Sequence, residues 1–239
     1  MKKAIKRTLL IVAGLFILFF GVGLIYYSPM FLMTTAETGA FSNTSIYIIK
    51  DNIGVNVYLI KTDNGYIMID AGLNVKNIDN SLNEANINSN DIKWIFLTHS
   101  DGDHIAALTL FPNAEIYMSK DEFKLIDGTM KRNFLGGNNI PSSVNINNIM
   151  QLSNRQILLI NGIKIECILA PGHTIGSMLF LIDDKYLFTG DTIKIKNGNM
   201  SIHPYSMDKN LAKATIDQIR EIIGDDYIIF TSHYGIHNN

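Results

Sequence analysis

A single cysteine, Cys167, stands among 239 residues, so no internal disulfide can brace the chain and no lipidated cysteine can lie near its N-terminus. Stability must come from the apolar core and from any bound metal. Carried on Ile165-Glu166-Cys167-Ile168-Leu169, the thiol reads as a small core side chain rather than a nucleophile. Charge is also sparse: 18% of residues are charged against 47% hydrophobic, which fits a globular protein and gives no sign of disorder. Four of the cations, Lys2, Lys3, Lys6 and Arg7, sit at the N-terminus, and removing them leaves 20 − 4 = 16 basic against 22 acidic residues, a formal −6. That balance disfavours a nucleic-acid or anionic-lipid partner.

Ionisable groups are missing altogether from one long stretch. Between Thr8 and Ala36 only two tyrosines can titrate, and Leu9 to Tyr27 is long enough to cross a bilayer as a helix. The run exceeds the roughly 7–15 apolar residues of a secretory signal, and bulky residues from Tyr26 to Phe31 follow it. An uncleaved single-pass transmembrane anchor is therefore expected, with secretion after cleavage near Thr34-Thr35-Ala36 as the alternative. The preceding cations keep the N-terminus cytoplasmic and put everything after Ser28 outside the cell membrane. The expected organisation is a basic tail and anchor over 1–30, a juxtamembrane linker over 31–44 and one folded domain over 45–239, with no linker splitting that domain.

What is present in that domain is a repeated strand signal. Ile46 to Ile49, Val55 to Ile60 and Tyr66 to Ile69 are β-type runs separated by Asp51-Asn52-Ile53-Gly54 and Asp63-Asn64-Gly65, which is hairpin chemistry. A surface helix over Val75 to Ile87, a strand over Lys93 to Thr98, a helix from His104 to Phe111 stopped by Pro112, a strand over Glu115 to Met118 and a helix capped by Ser119 follow. Thr129 to Asn148 is rich in Gly, Asn and Ser and reads equally as a lid and as an inert excursion. Strands are expected again at Ile157 to Ile160, Ile163 to Leu169, Ser177 to Ile182 and Lys185 to Thr189, then an amphipathic helix from Ser206 to Ile223 and a last strand from Tyr227 to Thr231. Two strand-rich halves, each followed by helix, suggest two packed sheets with helices outside.

The densest chemistry lies in Thr98-His99-Ser100-Asp101-Gly102-Asp103-His104, directly after the apolar run Trp94 to Leu97. Two imidazoles and two carboxylates this close are costly to bury unless a cation holds them together. His99 and Asp101 project to one side of an extended loop and Asp103 and His104 sit where the chain turns, an arrangement that feeds two neighbouring metal positions. A helix cap would explain one carboxylate but not the rest. Three more polar residues stand at ends of apolar strands: His173 in Pro171-Gly172-His173-Thr174, Asp191 in Thr189-Gly190-Asp191 and His233 in Ser232-His233. Asp70, in Asp70-Ala71-Gly72, ends another strand and reads equally as a turn cap. His203 reads first as an exposed loop histidine and second as a substrate-facing residue. Tyr234 fits an oxyanion donor and an aromatic packing on the last strand equally well.

Taken in order, these motifs resemble those of the metallo-β-lactamase-fold hydrolases over roughly Ile46 to Gly235. The resemblance implies an α/β fold, the four-layer αββα sandwich, with a two-metal site at one edge. Position by position it implies His99, Asp101 and His173 on a first divalent ion, Asp103, His104 and His233 on a second, Asp191 between them, and Asp70 orienting a ligand from outside the set. It implies a hydrolase in which a hydroxide between zinc, manganese or iron ions attacks a small-molecule substrate and Asp103 shuttles the proton. Asp101 departs from the common pattern, which has histidine there. With three carboxylates and a hydroxide the formal charge of a two-cation site falls to zero, where histidine at 101 would leave +1, and a harder oxygen donor favours manganese or iron over zinc. Esters, lactones and thioesters fit that charge better than phosphodiesters. The rival readings are a phosphodiesterase, a diiron redox protein, which would usually need a flavin domain, and an inactive surface binding module. Oligomeric state is open.

Overall fold

The computed structural model describes residues 2–29, 33–51, 54–132, 140–224 and 226–238. Helix α1 (Lys2–Tyr27) belongs to one unit, Met1–Met33, and all other elements to a second, Thr34–Asn239. Among the described residues no helix is long and apolar enough to cross a membrane. The expected transmembrane span is thus not supported by the described helix.

In the second unit, β1 (Gly39–Ala40), β2 (Ile46–Lys50), β3 (Asn56–Thr62) and β4 (Gly65–Ile69) form the expected antiparallel meander. The chain then returns in parallel through β5 (Ile92–Phe96), β6 (Glu115–Ser119) and β7 (Met150–Leu152), giving a seven-stranded sheet ordered as in the sequence. The second sheet contains β8 (Gln156–Ile160), β9 (Ile163–Leu169), β10 (Met178–Ile182) and β11 (Tyr186–Gly190). A separate hairpin, β12 (Ile193–Lys196) and β13 (Asn199–Ile202), precedes β14 (Ile228–Thr231) and β15 (Ile236–Asn238), which complete the second sheet in the order β15-β14-β11-β10-β9-β8.

Apolar residues on alternate positions face each other between the sheets. Ile48, Tyr58, Ile67 and Phe96 of the first meet Cys167, Phe180, Phe188 and Phe230 of the second. Phe188 stacks on Phe230 at 4.6 Å while Tyr58 meets both edge-on at 5.3 Å, geometries that suit the ring quadrupoles. Cys167 lies wholly inside, where burial and the adjacent Glu166 push its thiol up to about 12, as a core side chain should behave. Outside the first sheet lie α2 (Val75–Glu84), α3 (Gly102–Ile105) and α4 (Lys120–Ile126); outside the second, α5 (Lys209–Ile222) buries Ala212, Ile216 and Ile219. The result is the four-layer αββα sandwich.

Three local departures have physical causes. The helix expected from His104 to Phe111 shortens to α3 and a 3₁₀ segment, Ala106–Leu110. The His104 carbonyl is taken by Ala71 N at 2.7 Å and Ala107 N by the Gly72 carbonyl at 3.1 Å, so the ladder is diverted to the Asp70 turn. The β12–β13 hairpin was not expected, although Asn197-Gly198, both at positive φ (52° and 75°), is the dipeptide that builds such a turn. Of the long loop, 133–139 lie outside the described residues, and Ile140, Val144 and Ile146 pack on the outer core of the first sheet.

Candidate metal centre

The ends of β4, β5, β9, β11 and β14 meet at one edge of the sandwich and bring Asp70, His99 to His104, His173, Asp191 and His233 together. The Thr98 carbonyl accepts from Met178 N at 2.9 Å and so joins the two sheets at this edge. Gly190 allows the approach: at φ 54° it lies so close to Thr98 that a Cβ would collide with that side chain.

Asp70, itself at φ 58°, is the hub beneath the site. It accepts from Thr98 N and Thr98 Oγ1, both at 2.8 Å, and from His104 Nδ1 at 2.8 Å. Because the Thr98 hydroxyl proton goes to Asp70, its oxygen is left to accept from His99 Nδ1 at 3.0 Å. His233 Nδ1 donates to the Gly54 carbonyl at 2.7 Å. In three imidazoles Nδ1 is therefore committed elsewhere, and Nε2 is the nitrogen turned toward the cluster.

What those nitrogens meet is more donors. His99 Nε2 and His173 Nε2 are 3.2 Å apart; Asp191 Oδ2 lies 3.9 Å from His99, 3.6 Å from His173 and 3.2 Å from His233, while its Oδ1 is 3.7 Å from His104 Nε2. Asp103 Oδ2 is 3.3 Å from His233 Nε2 and 3.8 Å from His104 Nε2. His104 Nε2 and Asp191 Oδ1 are buried with no hydrogen-bond partner. Four sets of donors lie close enough to share an ion: His99, Asp101 and His173; His99, His104 and Asp191; Asp103, His104 and His233; and His173, Asp191 and His203. Facing lone pairs and carboxylates with orphaned atoms fit divalent cations and would repel one another without them.

The electrostatics agree. Burial works against charge on Asp191, yet the imidazoles of His233, His203 and His104 hold it well below the ordinary carboxylate range. Asp103 is likewise lowered to about 2, burial being outweighed by His104 and His233. Burial disfavours a charged His233 too, but Asp191 and Asp103 push it up to about 10, and Asp70 leads the acids that raise His104. Burial drives His173 the other way, to about 4.

One expectation about an individual residue changes, and a second stays open. His203 is no exposed loop histidine: it is buried, 3.7 Å from Asp191 Oδ2 and edge-on to the His173 ring at 4.8 Å. Tyr234 is buried and its hydroxyl has no partner, with Lys194 Nζ 5.5 Å from the ring centre. Two further residues were missed. Glu122 accepts from Ser100 N, Ser100 Oγ and Thr174 Oγ1 at 2.6–2.7 Å and from Gly176 N at 3.2 Å, tying the His99 loop to the His173 loop. Gly176 packs so tightly on Glu122 that any Cβ there would strike its backbone nitrogen. Arg132 reaches Asp101 with Nε at 2.5 Å from Oδ1 and Nη2 at 2.5 Å from Oδ2. The guanidinium returns the positive charge that a carboxylate at 101 removes, so the zero-charge argument that set neutral esters above anionic substrates no longer holds.

An αββα sandwich with these candidate metal donors at its edge points to one protein class. The model of the metallo-beta-lactamase superfamily matches residues 51–233, and the chain belongs to that superfamily. It is 32% identical over 130 residues to a probable polyketide biosynthesis zinc-dependent hydrolase, PksB, of Bacillus subtilis, covering 53% of this chain and 49% of that protein. It is 25% identical over 169 residues to an atrochrysone carboxyl ACP thioesterase of Emericella nidulans, covering 66% and 47%. The chain thus spans about half the length of these curated relatives. A subclass B3 metallo-beta-lactamase of Bradyrhizobium japonicum shares the fold, with a TM-score of 0.66 at 18% identity over 84% of this chain and 79% of that one.

Proposed function

We propose that the chain cleaves a carboxylic thioester, ester or lactone of a small molecule, using water held by two divalent cations at this edge. The observation that carries it is the set of Nε2 atoms of His99, His104 and His233 turned toward Asp103 and Asp191. Cations bound there would acidify a water molecule and polarise the scissile carbonyl. Asp103, 26% exposed where the other acids are buried, stays a carboxylate and is placed to take the proton of the attacking water and pass it to the leaving group. The unpartnered Tyr234 hydroxyl is a donor for the oxygen on which charge develops. His104 is kept in register by Asp70 and His233 by the Gly54 carbonyl, so neither ring must reorient during turnover.

A thioester leads because the relatives named above include a thioesterase and a hydrolase of polyketide biosynthesis. Thioesters, lactones, β-lactams and phosphodiesters should be presented in parallel to the wild type and His104→Ala with Zn²⁺, Mn²⁺ and Fe²⁺. Thioester or ester cleavage that falls at least about 100-fold in His104→Ala supports the proposal; cleavage of phosphodiesters alone would redirect it. The basic-then-apolar sequence from Lys2 to Tyr27 is the support for placing the protein at the cell membrane with the hydrolase unit outside. Recovery of the full chain in the carbonate-washed membrane fraction is expected, and recovery in the soluble cytoplasmic fraction would contradict it.

A further inference from the structure

The resemblance gives the first cation to His99, position 101 and His173, but position 101 is already engaged. Both oxygens of Asp101 face the Arg132 guanidinium, and the two side chains are only 3% and 1% exposed. The same guanidinium donates to the His173 carbonyl at 2.6 Å and to the Tyr205 carbonyl at 3.3 Å, and Nη2 lies 3.3 Å from His173 Nε2. It is fixed from three directions. The guanidinium donates a hydrogen bond to Oδ2 and stands against Oδ1, which takes no hydrogen bond, and its charge repels a cation brought to the same oxygens.

His203 has the opposite problem. It follows β13, its side chain is 2% exposed, and neither ring nitrogen has a hydrogen-bond partner. Its main chain is anchored, since its carbonyl accepts from Ser206 N at 3.2 Å and Ser206 Oγ at 2.9 Å. The rings of Tyr205 and Tyr234 stand 5.7 and 5.9 Å from it. Its Nε2 is 3.7 Å from Asp191 Oδ2, and Asp191 Oδ2 is 3.6 Å from His173 Nε2. Donors of a tetrahedral zinc with bonds of about 2.0–2.1 Å lie about 3.4 Å apart, so these separations need only a few tenths of an ångström of closure.

We propose that His203, rather than Asp101, completes the first cation position together with His173 and Asp191. The Asp101–Arg132 pair then serves as a clamp that locks the His99 loop to the His173 loop. The proposal rests on the metal-dependent reading of this edge and makes His173, Asp191 and His203 the first donor set, leaving His99 in the set it forms with His104 and Asp191.

The test is cation stoichiometry of the purified full chain loaded with Zn²⁺, by native mass spectrometry and elemental analysis, with Co²⁺ absorption as a second readout. The wild type should take up two ions and His203→Ala one, with a changed Co²⁺ spectrum. The paired neutral variant D101N/R132Q, which keeps hydrogen-bonding capacity at both positions, should still take up two. Thermal melting identifies any variant that fails to fold, and His203→Gln, isosteric enough to keep the wall, then replaces His203→Ala with the same expectation. Two ions in a folded His203 variant, or one in folded D101N/R132Q, would overturn the assignment. No ion in the wild type would overturn the metal-dependent reading itself.

Discussion

His173 and His233 both face Asp191, yet their surroundings displace them in opposite directions, and that contrast is testable without substrate. Burial holds His173 down at about 4, whereas for His233 the neighbouring Asp191 and Asp103 overcome burial and raise it to about 10. A histidine depressed in the fold contributes stability above its ordinary value of about 6.5 that is lost as pH falls toward 4; a raised one contributes stability below about 6.5 that is lost as pH climbs toward 10. The cation-free chain should therefore show its highest Tm near neutral pH, declining on both sides. Saturating Zn²⁺, which takes the place of the proton on His233, should remove the alkaline decline. A cation-free Tm that stays level from pH 7 to 10 would contradict this assignment of charges. At this scale the sequence was informative through the set rather than through any one strand end: His99, Asp101, Asp103, His104, His173, Asp191 and His233 were singled out together, and the structure brings them to one edge. Asp70 read equally as a cap, because nothing local distinguishes a turn carboxylate from one that will accept from His104 34 residues away. Arg132 was illegible for a related reason. Its partner Asp101 is 31 residues distant, and only the carboxylate's need for a compensating cation hinted that such a residue existed.

At the scale of elements, α4 shows how much a short helix can position. Ser119 caps it by accepting from Glu122 N at 2.9 Å, and this places the Glu122 carboxylate between the loop after β5 and the loop after β9. Glu122→Ala strands the backbone donors of Ser100 and Gly176 in a buried place, at about 1–3 kcal/mol each. With a shift of roughly 2–4 °C per kcal/mol for a chain of this size, Tm should drop by about 5–20 °C, with weaker cation retention because the two loops separate. An unchanged Tm would show that the brace is dispensable. The capped start of this helix was legible in the sequence, but its bridging role was not, since an acid in a first turn usually faces solvent and satisfies the helix dipole. The short α3 was overestimated for the converse reason: apolar spacing from Ile105 onward is helical, and the competing hydrogen bonds to Ala71 and Gly72 come from a distant turn. The strands fared better, because alternation and Asn-Gly or Asp-Asn-Gly turns are local signals, although the Asn197-Gly198 hairpin shows that such a signal can be passed over.

For the whole molecule, the sandwich and its catalytic edge are one construction. The two sheets meet through an aromatic core, the Thr98 carbonyl and Met178 N join their edges, and the strand ends on that side, with the loops and short α3 that follow them, carry the candidate donors found among the described residues. Order of motifs along the chain made this architecture readable before any coordinates, whereas the long apolar N-terminus suggested a span that the described part of α1 does not support. The central claim is that hydrolysis depends on cations gathered by these strand ends. Its most direct test is to strip the full chain with a chelator, follow thioester hydrolysis, and titrate Zn²⁺ or Mn²⁺ back while counting bound ions. Activity should vanish on stripping and return in step with ion uptake; full activity in the stripped, ion-free chain would contradict the account.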